Sequence, residues 1–256
     1  MKTPTRSYRI WFSQRSGSTL LCKALEQTTI AGKPGELLVL MGDHEPDLLT
    51  KYQVDNYEAL RNKIWELGTS ENGIFGVKDP FHHDHYHKNF QKICALRGIS
   101  QADDHEAVWS DLFPNCQHIY LTRRNKVRQV VSWWKAIQDN VWHLEGSKKH
   151  QNEQAFYDEK YNVDALTHLF KESVLKECAV QEYFSRHAIV PYTVVYEDMI
   201  ADYEATIRGV LDYLQLDHSQ LEIKAPYYHK TADAMSEQWV ERFRRDFQAG
   251  FQEKVY

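Results

Sequence analysis

Cysteine is scarce and unpatterned in this chain: Cys22, Cys94, Cys116 and Cys178 are the only four among 256 residues, with no C-x-x-C pair. That spacing excludes a disulfide scaffold and the usual zinc-finger frameworks, and it reads as reduced thiols in a cytoplasmic protein. Long apolar runs are absent too. No stretch approaches the ~18–20 residues of a membrane span, and Met1-Lys2-Thr3-Pro4 does not open a signal-peptide core. Excess positive charge is missing: the formal net charge is −5, which argues against a general nucleic-acid binder while leaving room for a local basic cleft. Repeats and low-complexity tracts are likewise missing. What remains is an ordinary globular composition, 42% hydrophobic and 26% charged, in a chain long enough for one sizeable core, so a single domain over 1–256 is expected.

Two nucleotide-loop patterns are also absent. G-x-x-x-x-G-K-[ST] would put a lysine on the terminal phosphates and a hydroxyl on magnesium, and G-x-G-x-x-G would open a dinucleotide fold. In their place stands Trp11-Phe12-Ser13-Gln14-Arg15-Ser16-Gly17-Ser18-Thr19-Leu20-Leu21. Tyr8, Ile10 and Phe12 alternate with other residues, and Trp11 adds apolar bulk beside them, as suits a strand buried on both faces. The run breaks at Gly17 and resumes as an amphipathic helix from Ser18 or Thr19. Strand, tight turn and helix start gather backbone N–H groups and the hydroxyls of Ser16, Ser18 and Thr19 at a helix N-terminus, which favours phosphate or sulfate. Arg15 adds a planar cation suited to oxyanions. By itself the segment is a phosphate loop of unspecified ligand.

A second basic turn repeats the logic. Residues 117–122 read as a short buried strand, Arg123-Arg124-Asn125-Lys126 follow, and a helix begins whose apolar face is Val127, Val130, Val131 and Trp134. Cations crowded at a helix N-terminus oppose the macrodipole, each by about 0.3–1 kcal/mol when exposed. An anion among them reverses that sign. Ser132 lies eight residues after Arg124, off the valine stripe, in reach of the same ligand.

Strand and helix signals alternate along the chain. Strands are predicted at 8–13, 73–78, 117–122 and 191–196. Helices are predicted to about Gln27, near 46–52, 56–67, 86–97 and 106–112, from Val127, over 163–186 and around 207–214, with a terminal helix striped by Trp239, Phe243 and Phe247. The alternation predicts an α/β fold: a P-loop-like, doubly wound, mainly parallel sheet with helices on both faces, binding ligands at the carboxyl ends of its strands. Arg15, Lys78 and Arg124 all fall at such ends.

Arg15-Ser16-Gly17-Ser18-Thr19, with Arg124 and Ser132 downstream, resembles the two-part donor site of sulfotransferases that use 3′-phosphoadenosine 5′-phosphosulfate (PAPS). Among these the chain is most similar to the bacterial trehalose sulfotransferase type. Its opening matches Arg15 to Cys22, and its G-x-P-x-E segment matches Gly32-Lys33-Pro34-Gly35-Glu36. Its basic helix matches Arg123-Arg124-Asn125-Lys126-Val127-Arg128-Gln129. Its C-terminal block matches Lys230-Thr231-Ala232-Asp233 with Ser236-Glu237-Gln238-Trp239-Val240-Glu241-Arg242. Four blocks in order span nearly the whole chain.

The resemblance implies a sulfotransferase fold, PAPS as sulfuryl donor and no metal. It places Arg15, Ser16, Gly17, Ser18 and Thr19 on the 5′-phosphosulfate, Arg124 and Ser132 on the 3′-phosphate, and Lys230 over the nucleotide. It makes Glu36 the general base, with Arg15 stabilising the leaving group. It further implies a small carbohydrate acceptor, a sugar or glycolipid precursor, and a homodimer. The other base used by many sulfotransferases, a histidine two residues after the lysine of the middle strand, is replaced by proline in Lys78-Asp79-Pro80. Departures cluster in the acceptor segment. Gly35 and Leu37-Leu38 stand where an acidic residue and two aromatics are expected, and Gln14 replaces a proline, so the likeness extends to the donor site and not to trehalose itself.

Two other classes stay open at the level of sequence. One is a magnesium-dependent nucleotide or sugar kinase with a degenerate phosphate loop, which needs a magnesium carboxylate and a phosphate lysine. The other is a non-catalytic nucleotide-binding protein. His82-His83-Asp84-His85-Tyr86-His87 carries metal-like spacing at His83 and His87, but such tracts are compositional signals and no metal site is assigned. Trp133 and Trp142 offer ring faces to a sugar, while Trp134 continues the apolar stripe.

Overall fold

The computed structural model describes residues 3–40, 47–81, 83–100, 105–142, 159–228 and 233–249, with the backbone alone for 83–85, 105–106 and 248. In chain order the elements are β1 (Arg6–Phe12), α1 (Ser18–Gln27), α2 (Leu48–Tyr52), α3 (Tyr57–Gly68), β2 (Ile74–Pro80), α4 (His83–Arg97) and α5 (His105–Ser110). They continue with β3 (Cys116–Thr122), α6 (Lys126–Asp139), α7 (Val163–Arg186), β4 (Tyr192–Val195), α8 (Tyr196–Ala201), α9 (Tyr203–Tyr213) and α10 (Ala234–Gln248). The four strands form one sheet in the order β2-β1-β3-β4, parallel at every pairing. Among the described residues no helix is long and apolar enough to cross a membrane.

β1 is central, and its two faces feed two cores. Tyr8, Ile10 and Phe12 pack with Leu21 and Leu25 of α1, Ile119 and Leu121 of β3, and Ile207, Val210 and Leu211 of α9. Trp11, on the opposite face, packs with Tyr120 and with Val180 and Phe184 of α7. Helices therefore cover both faces, and each buried side chain of this size contributes roughly 1.5–3 kcal/mol. Arg9 is the exception in a strand otherwise read as apolar. It is 2% exposed, and its Nε and Nη2 donate to Asp79 Oδ2 at 2.8 and 2.5 Å. The guanidinium also lies 4.3 Å from the Trp11 ring and 4.9 Å from that of Trp109. A charge buried this deeply persists only because it is paired and bonded.

Two details differ from the sequence expectation. β4 stops at Val195, and Tyr196 opens α8, whose first turn carries Glu197 and Asp198, favourable charges for a helix start. Trp133 is more deeply buried than Trp134: it is 8% exposed with the Lys176 ammonium 4.8 Å from its ring, while Trp134 Nε1 donates to the Lys160 carbonyl.

Candidate functional site

β1 and its neighbours diverge at their carboxyl ends. The chain leaves β1 for β2 on one side, and β3 lies on the other, so the turns after β1 and β3 border a crevice where α/β sheets bind ligands. Arg15 has φ 62° and Gly17 φ 94°, two left-handed residues within three positions that reverse the chain just before α1. A side chain at Gly17 would put its Cβ 2.6 Å from the Tyr196 ring, so this turn packs directly on the start of α8. No side chain caps α1. Ser18 is buried, and Ser16 is wholly buried with its Oγ lacking a hydrogen-bond partner among the described residues. An unpaired buried hydroxyl costs about 1–3 kcal/mol, a cost that an anion seated in the turn removes.

The two basic turns meet. Arg15 Nε donates to Ser132 Oγ at 3.0 Å, its Nη1 donates to the Trp142 carbonyl, and Arg123 Nη1 donates to the Arg15 carbonyl at 3.2 Å. Asn125 caps α6 by accepting from the Arg128 N–H at 3.0 Å. Along α6, Arg128, Ser132 and Lys135 recur at i, i+4 and i+7 and so share a face. That face and Arg15 and Arg123 border a cavity of about 360 Å³, closed by Tyr196 and Glu197 of α8 and by Ser236, Glu237 and Val240 of α10.

Charges of both signs border this cavity. Burial first, and then the neighbouring Arg123, pushes the Arg15 guanidinium down to about 10. Burial likewise holds Arg123 below its usual value, although Tyr196 and Glu197 oppose the shift; its face lies 4.5 Å from the Tyr196 ring. Glu237 pairs with Arg128, and Asp233 pairs with Lys135 at 2.6 Å. Burial raises Glu197, but the N–H groups of Arg124 and Asn125, at 2.9 and 3.1 Å, outweigh it and leave the carboxyl below the usual range. A carboxylate from α8 thus sits at the N-terminal turn of α6.

A second polar group stands beside the first turn. Lys78 Nζ at the end of β2 bridges Glu36 Oε1 at 2.9 Å and Thr19 Oγ1 at 3.1 Å. The Glu36 segment is fixed there because the Lys78 N–H donates to the Gly35 carbonyl at 2.9 Å, extending the sheet by one bridge. Thr19 thereby connects the phosphate turn to Glu36.

Of the residues singled out in the sequence, Arg15 and Ser132 line the cavity, Ser16, Gly17, Ser18 and Thr19 continue the same turn without lining it, and Glu36 connects to Thr19 through Lys78. Arg124 is exposed, paired with Asp198, and is not part of the cavity wall. Lys230 lies outside the described residues, as do Thr231, His82 and the side chains of His83, Asp84 and His85. Sequence reasoning put Arg123 in an anion-favouring basic turn and Lys78 at a strand end without giving either a site role, and it missed Arg128, Lys135, Tyr196 and Glu197 as cavity residues. The helical spacing of Arg128, Ser132 and Lys135 was a readable signal. Among the described residues no three His, Cys, Asp or Glu side chains converge as metal ligands.

The chain is 24% identical to a trehalose 2-sulfotransferase of Mycobacterium tuberculosis, over 96% of this chain and 97% of that protein. It is 27% identical to a trehalose 2-sulfotransferase of Mycolicibacterium smegmatis, over 94% of this chain and 96% of that one. A crystal structure of a sulfotransferase from Alicyclobacillus acidocaldarius aligns over 100% of this chain and 98% of its own, at 12% identity and a TM-score of 0.48. The profile of the Stf0 sulphotransferase family matches residues 7–246, nearly the whole length, and with the crevice and its two joined basic turns in place the chain belongs to the Stf0 sulphotransferase family.

Proposed function

We propose that this sulfotransferase uses PAPS as donor and a hydroxyl of a small carbohydrate, a sugar or glycolipid precursor, as acceptor. The observation that most supports the donor is the Arg15–Ser132 hydrogen bond across the crevice, which unites two oxyanion-binding turns at one cavity. The residues present fit such a ligand. Ser16 offers a buried, unpartnered hydroxyl, and Arg15 and Arg123 carry charges that burial disfavours and an oxyanion would relieve. When bound, PAPS supplies a sulfuryl group attached to a phosphate leaving group.

The chain's own groups divide the work. Arg15 and the first-turn N–H groups of α1 hold the 5′ end, where negative charge grows during transfer. Ser132 holds the second phosphate, Arg123 and Arg128 add positive charge from the wall, and Arg124 joins them by turning in from its Asp198 pair. Lys230 closes over the nucleotide. Lys78 fixes Glu36 through Oε1, and Glu36 Oε2 takes the proton of the acceptor hydroxyl. The carbohydrate acceptor is supported by the two relatives named above, as proteins acting on trehalose, and by the Glu36 segment shared with that type. A cytoplasmic location and a homodimer complete the proposal, on the cysteine pattern and on family resemblance respectively.

The test is a thermal-shift titration with adenosine 3′,5′-bisphosphate, run beside ATP with magnesium, followed by transfer from labelled PAPS to a panel of sugars. Ligand at a hundred times its Kd stabilises by about 2.7 kcal/mol, an upward shift of roughly 5–10 °C for a chain of this size. A shift with the bisphosphate without magnesium, and labelled sugar as product, is the expected result. A shift confined to ATP with magnesium overturns the donor assignment in favour of a kinase, and binding without transfer to any acceptor favours a non-catalytic protein.

A further inference from the structure

Beside the turn after β1 lies a polar knot, none of whose residues lines the cavity. Its centre is Glu177 of α7, 8% exposed. A single oxygen, Oε1, accepts from three different elements: Ser13 Oγ in the first turn at 3.2 Å, Thr122 Oγ1 at the end of β3 at 3.0 Å, and Lys126 Nζ in the first turn of α6 at 2.5 Å. Gln129, fully buried, completes the knot: its Nε2 donates to Ser13 Oγ and to the Gln14 carbonyl, both at 2.8 Å. Lys176, next to Glu177, donates to Gln14 Oε1 at 3.2 Å.

We infer that Glu177 is a positioning residue for sulfuryl transfer. It ties the turn after β1 to the turn after β3 and so sets the left-handed backbone from which Arg15 reaches Ser132. The inference rests on the proposed function for its effect on turnover, and on the knot alone for its effect on the turn. A negative charge behind an anion site is electrostatically unhelpful, which is why its role separates cleanly from that of a bystander. Were Glu177 only a bystander charge, Glu177→Gln and Glu177→Leu would tighten anion binding alike, because both remove it. As a positioning residue it acts through its acceptor oxygen, so Glu177→Leu must loosen binding, Glu177→Gln must fall between that variant and the parent, and Gln129→Leu, which changes no charge, must follow Glu177→Leu.

The experiment measures three quantities on the full chain and these variants: amide hydrogen exchange of residues 13–17 without ligand, the Kd for adenosine 3′,5′-bisphosphate, and kcat and KM with PAPS. Phe184→Leu, a core change two turns further along the same helix, controls for general destabilisation. The expected result is at least tenfold faster exchange across the turn and at least tenfold weaker bisphosphate binding in Glu177→Leu and Gln129→Leu, partial recovery in Glu177→Gln, and kcat falling more than KM rises. Unchanged exchange in both leucine variants, tighter binding in both Glu177 variants, or equal opening of the turn by Phe184→Leu overturns the inference. Should Glu177→Leu fail to fold, Gln129→Leu decides. A parent chain that neither binds the bisphosphate nor transfers overturns the proposed function instead, and the exchange measurement then decides the inference by itself.

Discussion

At Arg15, a left-handed backbone, a hydrogen bond to Ser132 and a guanidinium disfavoured by burial coincide. The side chain remains charged at neutral pH, so the unliganded protein bears an electrostatic cost that an oxyanion relieves. In the proposed function negative charge builds on the leaving group as transfer proceeds, and Arg15 there stabilises the transition state more than the bound ground state. Arg15→Ala is expected to lower kcat by about 10²–10³ while weakening bisphosphate binding far less; equal losses in kcat and affinity, measured by steady-state kinetics and calorimetry, would contradict its role at the leaving group. Glu36 makes the complementary case. Glu36→Gln keeps the shape of the segment and removes the proton acceptor, so kcat should fall by about 10²–10⁴ with bisphosphate affinity unchanged by titration. Near-normal turnover in that variant removes Glu36 from the mechanism.

The elements show where sequence reasoning succeeds and where it stops. β1, α1 and the valine stripe of α6 were legible because each repeats a period that burial enforces, two along the strand and 3.6 along the helix. The neighbours Arg123 and Arg124 were not separable, because a turn has no period. Which one faces the cavity is settled by Glu197 and Asp198, more than seventy residues later, whose contacts hold Arg124 outward. α8 was missed for a related reason: six residues are too few to display a helical repeat, and its first residue, Tyr196, continues a strand-favouring run of β-branched and aromatic residues. β3 contributes a testable element of its own. The Trp11 indole can only donate, so its 2.9 Å contact with His118 Nδ1 requires a neutral imidazole protonated on Nε2. Burial first, then Arg9, pushes His118 down to about 3. The unfolded chain takes up this proton near pH 6.5 and the folded chain does not. The contribution is therefore fully present above pH 6.5 and is lost as pH falls from there towards 3, by about 2 kcal/mol at pH 5. Urea unfolding of the parent chain between pH 7.5 and 4.5 should show that slope, and His118→Gln should flatten it.

In the whole molecule, the cavity proposed for the donor is a joint between chain segments far apart in sequence. α10 supplies one wall through Ser236, Glu237 and Val240, and it is held on α6 and α7 by Trp239, Val240 and Phe243 packing on Val130, Val131, Leu166 and Leu169. If the cavity binds the donor as proposed, stability and donor affinity are thereby expected to be linked through this packing. Phe243 is wholly buried, so Phe243→Ala should cost about 3–5 kcal/mol in denaturant unfolding and weaken bisphosphate binding as the wall loosens. An unchanged Kd at full folding would show that α10 packs independently of the cavity. The same long-range construction orders events during synthesis. Glu197, which accepts the Arg124 and Asn125 amides, follows them by 73 and 72 residues. At a translation rate of ~5–20 residues per second the ribosome delivers it about 4–15 s later. Through that interval the Arg124 and Asn125 amides lack the carboxylate that accepts them in the folded chain, and it arrives only with the helix that follows the fourth strand.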